Sequence, residues 1–288
     1  MKISVIGANG QLGTDVCRAF RDNGDDVIGL NHEHIEISDH NDTRSTLGDI
    51  DPDFVVNTAA MHNVEECEKD PEKSFAVNGI GARNLALASQ EIGFTLMHIS
   101  TDYVFDGVKQ SPYLESDCPR PLNVYGNTKI AGEFFVETIA EQYFILRVSA
   151  IYGESLCRAK GGLNFVTLML KLASERDEIR VVNDEFVSPT YTRDIAKQIV
   201  HMAGSSHYGL YHGTSQGSCS WYDFAAKIFE LTGSTVKLTV ADPGEFPAKV
   251  PRPTYSVLEN KGLQEAKLDI MPPWEKGLKS YLKTLREK

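Results

Sequence analysis

The segment VIGANGQLG, residues 5–13, constrains the fold of this chain more than any other. It follows an apolar run, KISVI, that is typical of a buried strand, and it leads into QLGTDVCRAFRDNG, which has the apolar spacing of a helix. Gly7, Gly10 and Gly13 permit a tight turn, close approach of the backbone to a ligand, and close packing of the helix on the strand. This context favours a dinucleotide site at the helix N-terminus over a merely structural turn.

Apolar strands and helical segments alternate through the first half of the chain. The strands are predicted in DDVIGL, DFVVNTAA, FTLMHIST and YFILRVSA. This alternation predicts an α/β fold with a Rossmann-like doubly wound parallel sheet. Beyond about residue 150 the regularity loosens. We therefore expect an NAD(P)-binding domain in 1–150 and a smaller C-terminal substrate-binding lobe in 151–288, with parts of 164–204 packing back on the first domain.

Charge and cysteine usage narrow the class of function. The chain has 288 residues, with 29 basic against 40 acidic side chains, and its net charge of −11 argues against nucleic-acid or anionic-membrane partners. No signal segment and no apolar run of about 18 residues is evident, so a cytoplasmic protein is expected. The five cysteines are scattered singly, which favours reduced thiols. No histidine, cysteine and carboxylate cluster has ligand spacing, so no protein-built metal site is predicted.

The residues after the second strand bear on the choice of cofactor. A carboxylate there binds the ribose hydroxyl of NAD, whereas an arginine suits the phosphate of NADP. The segment NHEHIEISD offers Glu33 and Glu36 but no arginine, while Arg18 and Arg21 of the preceding helix remain within reach. The sequence leans weakly to NADH and leaves NADH or NADPH open.

The segment NVYGNTKIAGE places Tyr125 and Lys129 four residues apart, on one face of a predicted helix. Such a pair alone is more typical of an ordinary surface helix, but here a glycine loop lies upstream and STDYVFDG ends a strand just before it. The ammonium and an oxidised nicotinamide would lower the phenol pKa and let the tyrosine exchange a proton with a carbonyl oxygen. Ser100 or Thr101 could supply a hydroxyl, with Thr101 favoured. His98 is predicted to be a hydrogen-bonded core residue.

Several longer blocks are more specific than these signatures. They are GANGQLG, STDYVFDG, PLNVYGNTKIAGE, NFV, SPTYTRDIA, SWYDFA and RPTYSVLEN. With them the chain resembles the extended short-chain dehydrogenase/reductases and, among these, the dTDP-4-dehydrorhamnose reductase family, from the first strand to about residue 260. The resemblance implies NAD(P)H-dependent reduction of the 4-keto group of a dTDP-6-deoxyhexose, most simply dTDP-4-dehydrorhamnose to dTDP-L-rhamnose.

The resemblance also implies a role for individual residues. Tyr125 would be the proton donor, Lys129 would hold the nicotinamide ribose and lower the tyrosine pKa, and Thr101 would bind the keto oxygen. The expected cofactor contacts, besides Tyr125 and Lys129, are Gly7, Asn9, Gly10, Gln11, Leu12 and Gly13 at the pyrophosphate, Glu36 and Ile37 at the adenosine half, and Ala59, Ala60 and Met61. The expected substrate contacts, besides Thr101 and Tyr125, are Val64, Asp102, Tyr103, Phe105, Ala150 and Asn164.

Two segments depart from the family pattern. Ala150 stands where the family usually carries a tryptophan against the sugar, and DEFVSPT has Glu185 and Val187 at changed positions. We therefore expect a wider sugar pocket at Ala150.

Two kinds of alternative stay open at this point. One is a reductase or epimerase for another nucleotide sugar. The other is a non-catalytic nucleotide-binding subunit, since a methionine adenosyltransferase regulatory protein resembles the same family. The presence of Thr101, Tyr125 and Lys129 together favours an enzyme with a nucleotide-sugar substrate. The oligomeric state stays open, with a homodimer as the expectation.

Overall fold

A computed structural model of the chain describes residues 1–156, 161–242 and 244–287, so Cys157 lies outside the described residues. The strands are β1 (Lys2–Ile6), β2 (Asp26–Leu30), β3 (Phe54–Asn57), β4 (Thr95–Thr101), β5 (Tyr143–Val148), β6 (Ile151–Tyr152), β7 (Glu178–Val181), β8 (Phe186–Val187), β9 (Thr190–Tyr191), β10 (Gly209–His212), β11 (Cys219–Ser220) and β12 (Lys237–Val240). The helices are α1 (Gln11–Asp22), α2 (His40–Ile50), α3 (Val64–Lys69), α4 (Pro71–Phe75), α5 (Gly81–Ile92), α6 (Val124–Ile139), α7 (Phe165–Glu175), α8 (Thr192–Ala203), α9 (Trp221–Thr232), α10 (Lys261–Glu265) and α11 (Trp274–Arg286). A π-helical turn (Ala76–Ile80) joins α4 to α5, and a 3₁₀ turn (Asp102–Val104) follows β4.

The central sheet is parallel and has the strand order β10-β5-β4-β3-β1-β2. The chain runs outward from β1 to β2 and then crosses back to β3 on the other side of β1, so the strand order reverses there. In such sheets ligands bind in the crevice at the carboxyl ends of the strands beside the reversal. The predicted Rossmann-like, doubly wound fold is confirmed.

The register of the strands aligns the loops that follow β1, β3, β4 and β5. Ile6 pairs with Asn57 at the ends of β1 and β3, and Thr101 pairs with Val148 at the ends of β4 and β5. The loops that follow these four strands therefore meet at one edge of the sheet. This edge carries the glycine loop, Thr101 and the segment after β5.

Two helical layers cover the two faces of the sheet because alternate strand residues point to opposite faces. On one face α1 and α8 pack together, and the core includes Val16, Phe20 and Ile199, all fully buried. On the other face α2, α5 and α6 form a core with Leu47 and Leu85 among its buried residues. Burying such side chains supplies about 1.5–3 kcal/mol each relative to exposure.

A separate core lies under α7, α9 and α11. Its aromatic side chains include Tyr152, Tyr191 and Tyr281, whose ring centroids lie 5.2–5.8 Å apart. Helix α7 packs on α9, whereas α8 packs on α1 and β10 joins the central sheet. The second half of the chain therefore contributes both to the central sheet with its helices and to the separate core. The division into domains at residue 150 stays a prediction.

Candidate active site

The glycine loop brings three backbone segments into contact. Gly7 has a φ of +79°, and a Cβ there would lie 2.8 Å from Thr58 Oγ1 and 2.9 Å from the nitrogen of Ala59. A Cβ at Gly13 would lie 2.2 Å from the carbonyl oxygen of Gly7. The Gly7 N–H donates to Leu30 O at 2.8 Å. Only glycine permits this close meeting of the β1 loop, the end of β3 and α1.

The N-terminus of α1 fits a pyrophosphate. Gly10 stands at its N-cap position without a side chain, whereas Asp39 and Asn123 cap α2 and α6 with side-chain oxygens. The first-turn N–H groups of α1 are therefore left for an anionic ligand. Leu12 is buried, so only its backbone can serve a ligand, and the Gln11 amide donates to carbonyl oxygens of the 153–155 loop at 3.2–3.4 Å.

Asn9 is exposed in the glycine loop. The segment after β2 is stabilised by hydrogen bonds between its own residues. The Glu36 carboxylate accepts hydrogen bonds from the Ser38 N–H and hydroxyl, which lower the Glu36 pKa. Ile37 is buried against Gly81.

Residues 59–61 run from β3 toward α6. The Met61 N–H donates to Asn78 Oδ1 at 2.9 Å, and Asn78 Nδ2 donates to Met61 O and to Thr128 Oγ1, each at 2.9 Å. Asn78 lies in the π-helical turn, so that turn fixes the segment against α6. Ala59, Ala60 and Met61 are half-buried, as is Val64 at the start of α3.

Strand alternation separates the two candidate hydroxyls at the end of β4. The Ser100 hydroxyl donates to the buried carboxylate of Glu133, inside the core. Thr101 lies at the strand end, where its hydroxyl donates to Asp102 Oδ1 at 3.0 Å and accepts from the Tyr103 N–H at 3.2 Å. Of the two, Thr101 is therefore the one placed beside Tyr125.

Helix α6 begins with an asparagine at its N-cap, and its first turn lies very close to the 3₁₀ turn. Asn123 Oδ1 accepts from the Gly126 N–H at 2.8 Å, and its amide donates to Pro251 O at 2.9 Å. A Cβ at Gly126 would lie 2.3 Å from Tyr103 O, so glycine lets the first turn of α6 lie directly on the 3₁₀ turn. This packing brings Tyr125 to Thr101, and the Tyr103 and Tyr125 rings lie edge to face at 5.9 Å.

The electrostatics of Tyr125 and Lys129 differ from the expectation. Burial raises the pKa of Tyr125, and its hydrogen bond with Thr101 opposes that shift. The Lys129 ammonium donates to Ile99 O at 2.6 Å and faces His98 Nε2 at 3.3 Å instead of the phenol, and burial lowers the pKa of Lys129 to about 8. The chain's own groups thus keep Tyr125 protonated at neutral pH.

Two expected substrate contacts lie in the interior. Phe105 is fully buried, with its ring 4.2 Å from that of Tyr113 and 5.1 Å from the Arg147 guanidinium. Asn164 caps α7, and its amide donates to Gly153 O and to the Tyr281 hydroxyl. The structure therefore places neither side chain on the cleft, because the packing of each loop turns it inward.

Asp102 is also buried, with 4 % of its surface exposed. Its Oδ1 accepts from Thr101 and its Oδ2 from Ser149 at 2.8 Å, while the Ser256 hydroxyl hydrogen-bonds to the same carboxyl group. Burial raises the pKa of Asp102, and these hydroxyls oppose the shift. Its carboxylate is placed to orient the Thr101 hydroxyl rather than to contact a sugar.

Comparison with known proteins identifies the family. The family model described as RmlD substrate binding domain matches residues 1–287. The chain belongs to this family. The Bacillus subtilis spore coat polysaccharide biosynthesis protein SpsK is 42% identical over 282 residues, covering 98% of this chain and 96% of that protein.

Two further members of the RmlD family are informative. A Streptomyces niveus dTDP-4-keto-6-deoxy-D-glucose reductase is 36% identical, covering 95% of this chain and 94% of that protein. The crystal structure of dTDP-4-dehydrorhamnose reductase from Bacillus anthracis in complex with NADP matches with a TM-score of 0.93 and 37% identity, covering 98% of this chain and 99% of that one. The resemblance read from the sequence is confirmed.

The expected sugar end of this RmlD-family site holds a strained residue. Ala150 has a φ of +45°, in the left-handed region that disfavours side chains, and its carbonyl accepts from Thr190 N at 3.3 Å. It follows β5, next to the strand that carries Thr101.

Arg252 was not assigned from the sequence, although it opens the RPTYSVLEN block. Its guanidinium hydrogen-bonds to the phenol of Tyr103, whose pKa burial raises to about 12. Burial also raises the pKa of Glu185, while Trp221 and the Arg252 charge oppose that shift. The sequence does carry a signal for Arg252, because it is a basic residue at the start of a family-specific block.

Three further observations bear on this family member. Within 1–156, 161–242 and 244–287, no group of three or more His, Cys, Asp or Glu side chains is arranged to hold a metal ion. In the same ranges, every helix is too short or too polar to span a bilayer. Cys17, Cys67, Cys118 and Cys219 are free thiols, of which only Cys118 is exposed.

Proposed function

We propose that the chain is an NAD(P)H-dependent reductase of the 4-keto group of a dTDP-6-deoxyhexose, with dTDP-4-dehydrorhamnose as substrate and dTDP-L-rhamnose as product. The observation that carries the proposal is the meeting, at one sheet edge, of the open N-terminus of α1 with Thr101 and a protonated Tyr125. The similarity to the Bacillus anthracis dTDP-4-dehydrorhamnose reductase in complex with NADP supports it.

The chain's own groups divide the work as follows. The N–H groups of the α1 first turn bind the cofactor pyrophosphate, and the glycine loop lets the backbone come close enough. A bound reduced nicotinamide supplies the hydride. Tyr125, which burial keeps in its protonated form, donates its phenolic proton to the keto oxygen.

Three neighbouring residues surround Tyr125 and share the positioning of the reactants. Thr101 hydrogen-bonds to the phenol, and its hydroxyl is the group proposed to contact the keto oxygen. Asp102 and the hydroxyls around it hold Thr101 in place. Lys129 lies one helical turn beyond Tyr125, and its side chain is the group proposed to bind the cofactor ribose.

The experiment that tests this proposal removes the phenolic hydroxyl of Tyr125. Tyr125→Phe should lower kcat by roughly 10²–10⁴-fold, as expected for loss of a general acid, with little change in the Kd for the reduced cofactor. Oxidation of NADPH followed by absorbance gives kcat, and fluorescence titration gives Kd. Tyr208→Phe, which changes an exposed phenol bonded to Gln142, is the matched control and should leave both unchanged. Near-normal turnover in Tyr125→Phe would remove the phenol from this role.

A second candidate is reduction of a different dTDP-4-keto-6-deoxyhexose. Ala150 in place of the usual tryptophan favours it, as does the similarity to the Streptomyces niveus dTDP-4-keto-6-deoxy-D-glucose reductase. A panel of dTDP-4-keto sugars, each assayed with NADH and with NADPH, separates the two candidates by kcat/KM. Cofactor binding without oxidation for any sugar would instead indicate a non-catalytic subunit.

Location and assembly belong to the same proposal. We infer a cytoplasmic enzyme, supported by the buried free thiols of Cys17, Cys67 and Cys219, since reduced thiols are typical of that compartment. A homodimer is the proposed assembly. It is supported by the exposed aromatic rings of Phe75 and Phe134 on the adjoining helices α4 and α6.

A further inference from the structure

The Thr101 hydroxyl has more hydrogen-bond partners than it can serve at once. A hydroxyl carries one proton to donate and two lone pairs that accept. Thr101 Oγ1 accepts from the Tyr103 N–H at 3.2 Å and lies 3.0 Å from Asp102 Oδ1. It also hydrogen-bonds to the phenol of Tyr125. The proposed contact with a keto oxygen would be a fourth, so the direction of each bond decides which contacts Thr101 can make.

An ionised Asp102 is incompatible with the proposed role of Thr101. A carboxylate only accepts hydrogen bonds, so the single proton of Thr101 has to point at Asp102 Oδ1. The Tyr103 N–H occupies one lone pair of Thr101. The phenol of Tyr125 can then bond to Thr101 only by donating its proton to the other lone pair. In this arrangement Thr101 has no proton for a keto oxygen, and the phenolic proton is directed at Thr101 instead of the substrate.

A protonated Asp102 reverses these bonds. Its O–H donates to the lone pair of Thr101 that the Tyr103 N–H leaves, and the Thr101 proton is released from the carboxyl group. Thr101 then donates to the phenol oxygen of Tyr125 or to a keto oxygen, and the phenolic proton is available for the substrate. We propose that Asp102 is a positioning residue that acts as a neutral carboxylic acid in the reacting enzyme and directs the protons of Thr101 and Tyr125 to the keto oxygen. The proposal rests on the proposed function, which supplies that oxygen.

The surroundings of Asp102 favour the neutral form. The residue is 4 % exposed, and in the part of the chain that the structure describes it forms no ion pair with Lys, Arg or His. Its other partners are uncharged, namely the Ser149 hydroxyl at 2.8 Å from Oδ2 and the Ser256 hydroxyl. Burial raises the pKa of Asp102, and these hydroxyls oppose that shift. A carboxylate that is buried without a cation is expected to take up a proton.

The charged groups around the site do not replace the missing cation. The Arg252 guanidinium hydrogen-bonds to the phenol of Tyr103, and the charge of Glu185 opposes its effect on that phenol. On α6, Lys129 donates to Ile99 O at 2.6 Å. The titratable groups that face Asp102 or its hydroxyl partners are Tyr103 of the 3₁₀ turn, Tyr125 of α6, Cys67 of α3, and Arg252 and Glu185 near the phenol of Tyr103. Burial raises the pKa of both tyrosines and of Cys67, so these three groups are neutral at pH 7.

The first experiment measures the charge of Asp102 without substrate or cofactor. In the full chain labelled with ¹³C at the aspartate carboxyl carbon, the resonance that disappears in Asp102→Asn should titrate well above the ordinary midpoint of about 3.9. Ser149→Ala removes a donor to the carboxylate and should raise the midpoint further. Ser174→Ala removes an exposed hydroxyl bonded to Lys171 O and is the matched control, with an unchanged midpoint. An ordinary midpoint for Asp102 would overturn the proposal even in an active reductase.

The second experiment measures the sign of the pH dependence. Above the measured midpoint of Asp102, kcat/KM should fall by about tenfold per pH unit, because the neutral form is the reacting one. This fall should move to higher pH in Ser149→Ala and disappear in Asp102→Asn, whose amide donates to Thr101 at every pH. A kcat/KM that rises through the same midpoint, or a fall that persists in Asp102→Asn, would overturn the proposal. Absence of turnover with every dTDP-4-keto sugar would count against the proposed function, and the carboxyl titration would still decide the charge of Asp102.

Discussion

Gly126→Ala tests the close contact that brings the catalytic helix to the 3₁₀ turn. The added Cβ would lie 2.3 Å from Tyr103 O and 2.8 Å from Pro121 Cβ, where ordinary contacts begin at 3.4 Å. The backbone of α6 and the turn must therefore separate by about 1 Å, because the nearest atom belongs to backbone and cannot rotate away. A displacement of that size at a reacting group costs about 10²-fold in rate. Overpacking costs about 1–3 kcal/mol, and the better helix propensity of alanine returns up to about 1 kcal/mol.

We thus expect Gly126→Ala to lower kcat/KM by about 10²-fold while the free energy of unfolding falls by only about 0–2 kcal/mol. Steady-state oxidation of NADPH and urea unfolding followed by circular dichroism give the two quantities. Gly48→Ala in α2 is the matched control, because a Cβ there meets nothing within 4 Å. It should raise the free energy of unfolding by about 0.5–1 kcal/mol and leave kcat/KM unchanged. Wild-type kcat/KM in Gly126→Ala would refute the claim that this contact sets the position of Tyr125.

Two further predictions concern the sugar pocket and acid stability. Ala150→Trp should change KM for dTDP-4-dehydrorhamnose relative to larger keto sugars, and equal KM values before and after the substitution would contradict a wider pocket at this position. His98 and His212 are buried, and burial lowers the pKa of both, that of His212 to about 3. Below pH 6.5 the unfolded chain therefore binds protons that the folded chain does not. As the pH falls from 6.5 to 5, His212 should reduce the free energy of unfolding by up to about 1.4 kcal/mol per pH unit, and His98 should act in the same direction. Urea unfolding across this range checks the slope, which should be shallower in His212→Gln and would be unchanged if the argument is wrong.

The parts of the fold that depend on local rules were predictable from the sequence. The glycine loop, the strand before it and the helix with Tyr125 follow from spacing and from glycine geometry, and His98 is confirmed as a hydrogen-bonded core residue. Helix α2 was not predicted. Its apolar stripe is short, with Leu47 as its fully buried apolar residue, and its start depends on the Asp39 side-chain cap.

The directions of individual side chains were harder to predict because they depend on packing between distant segments. Phe105 and Asn164 sit in family-specific blocks, yet Phe105 stacks on Tyr113 and Asn164 bonds to Tyr281, 117 residues away. The helical segment from Pro71 to Ile92 is interrupted by a π-helical turn, which aims Asn78 at Met61. Neither kind of contact leaves a periodic pattern in the sequence.

The two functions of Asn123 tie the catalytic helix to the far half of the chain. The Asn123 side chain caps α6 and also donates a hydrogen bond to the carbonyl oxygen of Pro251. Arg252, which follows Pro251, hydrogen-bonds to the phenol of Tyr103. Insertions or deletions in the loop around Pro251 would therefore be transmitted to the position of Tyr125. Evolution of a new sugar preference through that loop is constrained to changes that keep this anchor, so substitutions at sites such as Ala150 offer the less disruptive route.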